Sequence, residues 1–213
     1  MSDLQQTFLQ FVIDKKILKF GEFTTKFGRH SPYFFNAGLF YDGGSLYQIA
    51  HFYADTIIKN NLDFDVLFGP AYKGIVLAAI TCMALAEKNI NKPFAYNRKE
   101  AKDHGEKGIL VGAPLKGNVL IIDDVISAGT SIRESVQLIQ KENAKPVGVV
   151  LALDRMEKGI KDISAVEEVK QTYQIPVTAI ATFQDLLQLI TDKPELQKYQ
   201  TAINAYREKY GTI

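Results

Sequence analysis

The chain has 213 residues, enough for one α/β domain with a full hydrophobic core. Its 25 basic and 24 acidic residues give a formal net charge of +1, which argues against nucleic acid as a partner. The single cysteine excludes an intrachain disulfide, no apolar run is long enough to cross a bilayer, and the first residues lack a signal-peptide pattern. We therefore expect one cytoplasmic domain over 1–213 with no membrane partner.

The apolar residues predict helices and strands in alternation along most of the chain. A helix is expected over about 3–16, short strands and turns over 17–40, and a second helix over 44–60. Further strands are expected at 64–68, 93–97, 118–123, 147–154 and 177–182, with helices between them, a charged loop at 99–108 and two helical segments at the end. This alternation indicates a mostly parallel sheet covered by helices on both faces.

Charged residues follow three of the predicted strands. Asp123 and Asp124 end one strand, Tyr72 and Lys73 follow another, and Asp154-Arg155 end a third. Ligands of parallel α/β sheets bind beyond the carboxyl ends of the strands, so these residues are expected to share one site.

The segment VLIIDDVISAGTS (119–131) carries the most specific chemical signal. Two adjacent carboxylates repel each other and lose hydration when buried, so a strand that ends in them indicates a ligand. Carboxylates accept hydrogen bonds from vicinal hydroxyls and attract Mg²⁺. The small turn that follows opens a helix, whose N-terminus favours phosphate together with the hydroxyls of Thr130 and Ser131. We interpret the segment as a ribose 5-phosphate site; the alternative is a surface turn with an Asp helix cap.

The same thirteen residues resemble the 5-phosphoribosyl 1-pyrophosphate (PRPP) motif of the type I phosphoribosyltransferases. KFGEFTTKFGRHSPYFFNAGLF, FGPAYKGI, NRKEAKDHGEKG and AYREKYG extend the resemblance over nearly the whole chain, which is similar to bacterial orotate phosphoribosyltransferases. The resemblance implies a five-stranded parallel sheet flanked by helices, a small N-terminal hood (about 15–42) and a mobile lid (about 98–109). It further implies a homodimer that makes orotidine 5′-monophosphate and pyrophosphate from orotate and PRPP with Mg²⁺, in pyrimidine synthesis.

The resemblance also assigns roles to individual residues. Lys102, Asp124 and Lys73 are expected to be catalytic, with Lys102 neutralising the departing pyrophosphate. Orotate is expected against Phe34 and Phe35, near Ser127, with its carboxylate on Arg155. Mg²⁺ is expected mainly on the phosphates of PRPP, near Asp123 and Asp124, without an assigned direct protein ligand. Contacts to PRPP are expected from Lys26, Tyr72, Lys73, Arg98, Lys99, Lys102, His104, Asp123, Asp124, Val125, Ile126, Ser127, Ala128, Gly129, Thr130 and Ser131.

Several of these residues have a purely structural interpretation on sequence alone. An aromatic pair such as Phe34 and Phe35 is commonly core, Lys26 could be a solvated strand residue, and Arg155 could form a surface ion pair. His30 and His51 are expected to be structural, and Phe27 stands where close relatives often have serine. Two other functions stay open: a phosphoribosyltransferase for another base, and a PRPP-sensing regulator without catalysis.

Overall fold

The computed structural model describes residues 1–25, 28–102, 108–126, 129–159 and 163–212, and only the backbone of 101 and 102. The helices of these ranges are α1 Asp3–Asp14, α2 Gly43–Lys59, α3 Lys73–Glu87, α4 Thr130–Lys141, α5 Ala165–Tyr173, α6 Phe183–Asp192 and α7 Gln200–Tyr210. The strands are β1 Leu18–Thr24, β2 His30–Phe35, β3 Val66–Gly69, β4 Phe94–Lys102, β5 Gly108–Gly112, β6 Asn118–Asp123, β7 Lys145–Asp154 and β8 Val177–Thr182. No helix in the described part of the chain is long and apolar enough to span a membrane.

The described strands form a central sheet in the order β5-β4-β3-β6-β7-β8. Strands β4, β3, β6, β7 and β8 run parallel, and β5 pairs antiparallel with β4 at the edge. The expected mostly parallel sheet is confirmed with its five parallel strands, and β5 adds a sixth, antiparallel strand that was not expected. Short connections at the carboxyl ends of parallel strands bring the residues after β3, β6 and β7 to one edge.

The charged loop expected at 99–108 is partly strand. Strand β4 continues to Lys102 and β5 begins at Gly108, with Tyr96 opposite Val111 and Lys102 opposite Gly108. Backbone pairing with an edge strand does not require apolar side chains, so the charged residues of this segment did not indicate that β4 continues and pairs with β5. Residues 103–107, between the strands, lie outside the described residues.

Two apolar layers cover the two faces of the sheet. Successive side chains of a strand point to opposite faces, so Leu120 and Ile122 of β6 join one cluster, while Val119 and Ile121 join the other. The first cluster includes buried residues of α1, α2, α3, α6 and α7, and the second includes those of α4 and α5. Every residue of β6 from Val119 to Asp123 is buried, so its carboxyl end emerges from between the two layers.

The segment expected to form the hood contains an antiparallel pair of strands outside the central sheet. Strands β1 and β2 pair with Leu18 opposite Phe35 and Thr24 opposite His30. The β1–β2 pair packs against the residues just before α7, where the rings of Phe20 and Tyr199 are stacked with their centres 4.7 Å apart. This contact places the β1–β2 pair and the C-terminal residues on the same side of the molecule.

Candidate active site

Asp123 and Asp124 form a buried carboxylate pair at the carboxyl end of β6. Only 7% of the surface of Asp123 and 6% of that of Asp124 are exposed to solvent. The Asp124 amide donates to Asp123 Oδ1 at 2.9 Å, and the Ser131 hydroxyl donates to Asp123 Oδ2 at 3.1 Å. The Tyr53 hydroxyl of α2 donates to the Asp123 carbonyl at 2.8 Å and fixes the strand end. The expected alternative, a surface turn with an Asp cap, does not hold because both residues are buried and Gly129 occupies the N-cap position of α4.

The electrostatics of this carboxylate pair favour the binding of hydrogen-bond donors or of cations. Burial, followed by the negative charge of Asp124, raises the pKa of Asp123 from 3.8 to about 7. The hydrogen bonds from the Asp124 amide and from Ser131 lower this pKa only in part. A ligand that offers hydroxyl donors or positive charge stabilises the ionised carboxyl group. The pair is therefore suited to a diol or a divalent cation.

Lys73 reaches the carboxylate pair from the neighbouring strand connection. Its Nζ lies 2.7 Å from Asp124 Oδ2, and half of its side chain is exposed. The connection before it is tightly packed, since a Cβ on Gly69 would lie 2.0 Å from the Gly74 carbonyl oxygen. Glycine is therefore required where the end of β3 meets the start of α3. The predicted meeting of Lys73 with the Asp pair is thus present in the structure.

Asn97 of β4 supports the same connection and was not identified from the sequence. Its side-chain oxygen accepts a hydrogen bond from the Ala71 amide at 3.0 Å, and its Nδ2 donates to the Arg98 carbonyl at 3.2 Å. The Ala71 amide is 26 residues away along the chain, so no local pattern indicates the contact. Asn97 therefore ties the Pro70–Tyr72 turn to the adjacent strand.

The N-terminus of α4 lies directly after the carboxylate pair. Gly129 adopts the left-handed conformation with φ of +68° and occupies the N-cap position. The amides of the first helical turn, from Thr130 onward, have no partner within the helix and can bind an anion. Val125 and Ile126 precede the turn and are partly exposed, whereas Ser127 and Ala128 lie outside the described residues.

Strand β4 carries Arg98, Lys99 and Lys102, three of the residues expected in the lid. Lys99 Nζ lies 5.4 Å from the centre of the Tyr72 ring, so the two expected PRPP contacts are neighbours. Arg98 Nη1 donates to the Gly108 carbonyl at 3.2 Å across the strand pair. The Lys102 side chain and His104 lie outside what the structure describes.

Arg155, just past the end of β7, lies in a polar and aromatic pocket. Its Nε and Nη2 donate to Glu157 Oε1 at 2.7 and 2.6 Å, and Nη2 also donates to the Ser31 hydroxyl at 3.0 Å. The guanidinium carbon lies 4.3 Å from the centre of the Tyr33 ring. Only 13% of the side chain is exposed, so the surface ion pair considered from the sequence is a largely buried one.

Comparisons with known proteins identify the family. A family model described as the phosphoribosyl transferase domain matches residues 38–181. Orotate phosphoribosyltransferase of Neisseria meningitidis serogroup C is 63% identical over 99% of both chains, and that of Chromobacterium violaceum shows the same identity and coverage. The chain belongs to the orotate phosphoribosyltransferase family. A crystal structure of Francisella tularensis orotate phosphoribosyltransferase is 44% identical, with a TM-score of 0.87, and covers 97% of this chain and 100% of that one.

Membership of the orotate phosphoribosyltransferase family confirms the resemblance seen in the sequence. It makes the chain a pentosyltransferase of pyrimidine biosynthesis, with the expected type I phosphoribosyltransferase fold. The carboxylate pair, Lys73 and the N-terminus of α4 form one end of the candidate site. Arg155 follows β7, the strand beside β6, and forms a second region of the site together with the β1–β2 pair.

The remaining residues expected in an orotate phosphoribosyltransferase site occupy different environments. Phe34 is exposed and its ring stacks on Phe23 with the centres 5.5 Å apart. Phe35 is buried and packs against Phe40, so its ring belongs to the core, the structural interpretation considered from the sequence. Lys26 and Phe27 lie outside the described residues. The His51 ring lies between two acceptors, with Nδ1 2.8 Å from the Tyr47 carbonyl oxygen and Nε2 2.9 Å from Glu87 Oε2.

Proposed function

We propose that the chain transfers the 5-phosphoribosyl group of PRPP to orotate, with Mg²⁺ bound, and releases orotidine 5′-monophosphate and pyrophosphate. The observation that carries the proposal is the buried Asp123-Asp124 pair, with Lys73 at 2.7 Å and a helix N-terminus directly after it. We also propose a cytoplasmic location, in which a free thiol such as that of Cys82 persists.

The first part of the site suits the ribose 5-phosphate of PRPP. The carboxylates of Asp123 and Asp124 accept hydrogen bonds from the 2- and 3-hydroxyl groups of the ribose. The first-turn amides of α4, that of Ser131 included, and the Thr130 hydroxyl bind the 5-phosphate. These groups are fixed before binding, because Ser131 already contacts Asp123 and Tyr53 holds the strand end. Such preorganisation lowers the entropy lost when the sugar is bound.

The second part of the site suits the pyrophosphate group. Lys73 is half exposed and can exchange its contact with Asp124 for one with a phosphate oxygen once the diol occupies Asp124. Lys99 lies beside Tyr72 on the same side, and Lys102 continues along β4. Positive charge on these lysines stabilises the pyrophosphate as the anomeric C–O bond breaks, and orotate N1 attacks the ribose carbon from the opposite face and releases its proton to solvent. No covalent intermediate with the protein is needed in this displacement.

The residues present fit Mg²⁺ shared with the substrate. Among the described residues, no group of three His, Cys, Asp or Glu side chains is placed to hold a metal by itself. Mg²⁺ is commonly held by one or two carboxylates together with substrate phosphates and water. Asp123 and Asp124 supply that kind of partial donor set, and bound Mg²⁺ would neutralise charge on the leaving pyrophosphate.

The orotate end of the site is assigned to Arg155 and the exposed ring of Phe34. A guanidinium forms charge-assisted hydrogen bonds to a carboxylate, and orotate is the pyrimidine base that carries one. Arg155 already uses Nε and Nη2 on Glu157, while its Nη1 has no hydrogen-bond partner among the described residues. The orotate carboxylate would therefore bind the Nη1 side of the guanidinium.

A homodimer is part of the proposal. Helix α3 exposes Val76 and Met83 on one side, and the adjacent α2 exposes Tyr47. A hydrogen bond between His51 and Glu87 and an ion pair between Asp55 and Lys88 hold the two helices together. Exposed apolar residues on a rigid pair of helices indicate a protein interface. Because α3 begins at Lys73, a second copy on this surface would lie close to the pyrophosphate end of the site.

A base-competition assay tests the proposed reaction. The purified protein is supplied with PRPP, Mg²⁺ and an equimolar mixture of orotate, uracil, hypoxanthine and adenine, and each base and nucleotide is quantified by chromatography. We expect orotidine 5′-monophosphate as the product. Formation of a purine nucleotide with orotate untouched would support a phosphoribosyltransferase for another base. PRPP binding by calorimetry without any product would support the sensing regulator instead.

A further inference from the structure

Glu157 connects three separate parts of the chain around Arg155. Its Oε1 accepts hydrogen bonds from Arg155 and from the Tyr206 hydroxyl of α7, the latter at 2.9 Å. Its Oε2 lies 3.5 Å from Nη1 of Arg29, which follows the turn at the end of β1. One carboxylate thus joins the loop after β7, the C-terminal helix and the β1–β2 pair.

The contacts of Glu157 select one orientation of the Arg155 guanidinium. Both Nε and Nη2 are directed at a single oxygen, Glu157 Oε1, and Nη2 is shared with the Ser31 hydroxyl. The Ser31 hydroxyl in turn donates to the Tyr33 carbonyl at 2.7 Å, so this acceptor is itself fixed. The Tyr33 ring lies against the guanidinium at 4.3 Å. With Nε, Nη2 and one face of the group occupied, the donors that remain are those of Nη1.

The charge of the cluster also matches an anionic ligand. The guanidinium groups of Arg29 and Arg155 both contact the carboxylate of Glu157, so two positive charges face one negative charge. Burial alone would lower the pKa of Arg155, but the neighbouring Tyr33 and Glu157 raise it above its ordinary value, so the guanidinium stays charged. A buried ion pair that uses only part of a guanidinium leaves the rest able to bind a carboxylate.

We propose that Glu157 is the positioning residue that orients Arg155 for the carboxylate of orotate, and that it thereby sets the preference for a carboxylated pyrimidine. The proposal rests on the proposed function, in which Arg155 binds that carboxylate. Glu157 itself does not touch the base. It acts by holding Nε and Nη2, so that Nη1 is presented without the entropy cost of ordering a long side chain.

Binding of two nucleotides that differ only in the carboxylate tests this role. Orotidine 5′-monophosphate and uridine 5′-monophosphate share the ribose 5-phosphate and the pyrimidine ring, so their affinity ratio isolates the carboxylate. Titration calorimetry would measure both nucleotides on the full chain and on Glu157→Gln, which keeps the shape of the side chain and removes its charge. We expect the affinity for orotidine 5′-monophosphate to fall about tenfold, with the affinity for uridine 5′-monophosphate unchanged.

Two further variants serve as references. Glu142→Gln, at an exposed position after α4, should leave both affinities as in the unmodified chain. Arg155→Ala should abolish the preference for orotidine 5′-monophosphate. If Arg155→Ala kept the preference, the assignment of Arg155 in the proposed function would fail. If Arg155→Ala lost it while Glu157→Gln kept it, only the role of Glu157 would be overturned.

An equal loss of affinity for both nucleotides in Glu157→Gln would also overturn the proposal, because it would show a general structural role. Circular dichroism would show whether the variant folds. If it does not, Tyr206→Phe replaces it, since this change removes the hydrogen bonds of the Tyr206 hydroxyl to Glu157 and, at 3.5 Å, from Arg155 Nη2, and keeps the Arg155–Glu157 ion pair. A selective loss of affinity for orotidine 5′-monophosphate in Tyr206→Phe would support the proposal, and unchanged affinities would contradict it.

Discussion

Replacing Asp123 by Asn is predicted to stabilise the fold while weakening PRPP binding. Burial and Asp124 raise the pKa of Asp123 from 3.8 to about 7 in the folded chain. Between these two values the folded protein binds more protons than the unfolded chain, so stability falls as the pH rises through this window and is constant above it. Asn is uncharged and similar in shape, and its carbonyl oxygen can still accept the Asp124 amide. The variant should therefore lack this pH dependence.

The size of the effect follows from the pKa change. Above pH 7 the raised pKa costs the folded state roughly 4 kcal/mol, and at about pH 5 it costs less than half of that. The difference in unfolding free energy between the Asn variant and the unmodified chain should thus grow by on the order of 3 kcal/mol from about pH 5 to about pH 8. A substitution that increases stability and weakens binding is expected where a functional site contains buried charges that repel each other.

Urea denaturation at several pH values, without PRPP or Mg²⁺, would measure this difference. Asp63→Asn, at an exposed position, is the matched control and should show no such trend. Calorimetry with PRPP and Mg²⁺ should show weaker binding in Asp123→Asn, because one carboxylate acceptor of the diol is lost. The reasoning would be refuted if the stability difference between Asp123→Asn and the unmodified chain did not change with pH, or if Asp123→Asn bound PRPP as tightly.

Three further predictions concern the remaining parts of the site. Lys102→Ala should lower kcat by about 100-fold or more with unchanged circular dichroism, because its charge acts on the departing pyrophosphate; a normal kcat would remove its catalytic role. Asn97→Ala should raise the KM for PRPP about tenfold and leave the KM for orotate unchanged, since the Ala71 amide loses its acceptor; an equal rise of both constants would contradict it. Met83→Glu should give monomers in analytical ultracentrifugation, whereas Gln184→Glu on α6 should not; a Met83→Glu dimer would exclude this α3 surface as the interface.

The carboxylate pair and its surroundings were predictable because the signal is local. Residues 119–131 combine an apolar strand, two Asp residues and a small turn, and the structure has β6 ending at Asp123 and α4 beginning at Thr130. The meeting with Lys73 was also predictable, since carboxyl ends of neighbouring parallel strands share one edge. Strand β5 was not predicted, because its pairing with β4 depends on backbone hydrogen bonds and its neighbours are charged.

The supporting residues could not be predicted, because their partners are distant in sequence. Glu157 contacts Arg29 across 128 residues, and Tyr53 contacts the Asp123 carbonyl across 70. A lone Glu after Arg155, or a Tyr within a helix, has no local pattern that would indicate these contacts. The β1–β2 pair shows the same difficulty: Phe34 and Phe35 are adjacent, yet one is exposed and the other is core, as strand alternation requires.

The most direct test of the account is the stoichiometry of the reaction. Purified protein is mixed with orotate, PRPP and Mg²⁺, orotate loss is followed by ultraviolet absorbance, and pyrophosphate release is measured in the same samples. We predict that orotate is consumed and pyrophosphate appears in equal amounts, and that both changes require PRPP and Mg²⁺. Orotate that stays constant in the presence of bound PRPP, or pyrophosphate released without loss of orotate, would contradict it.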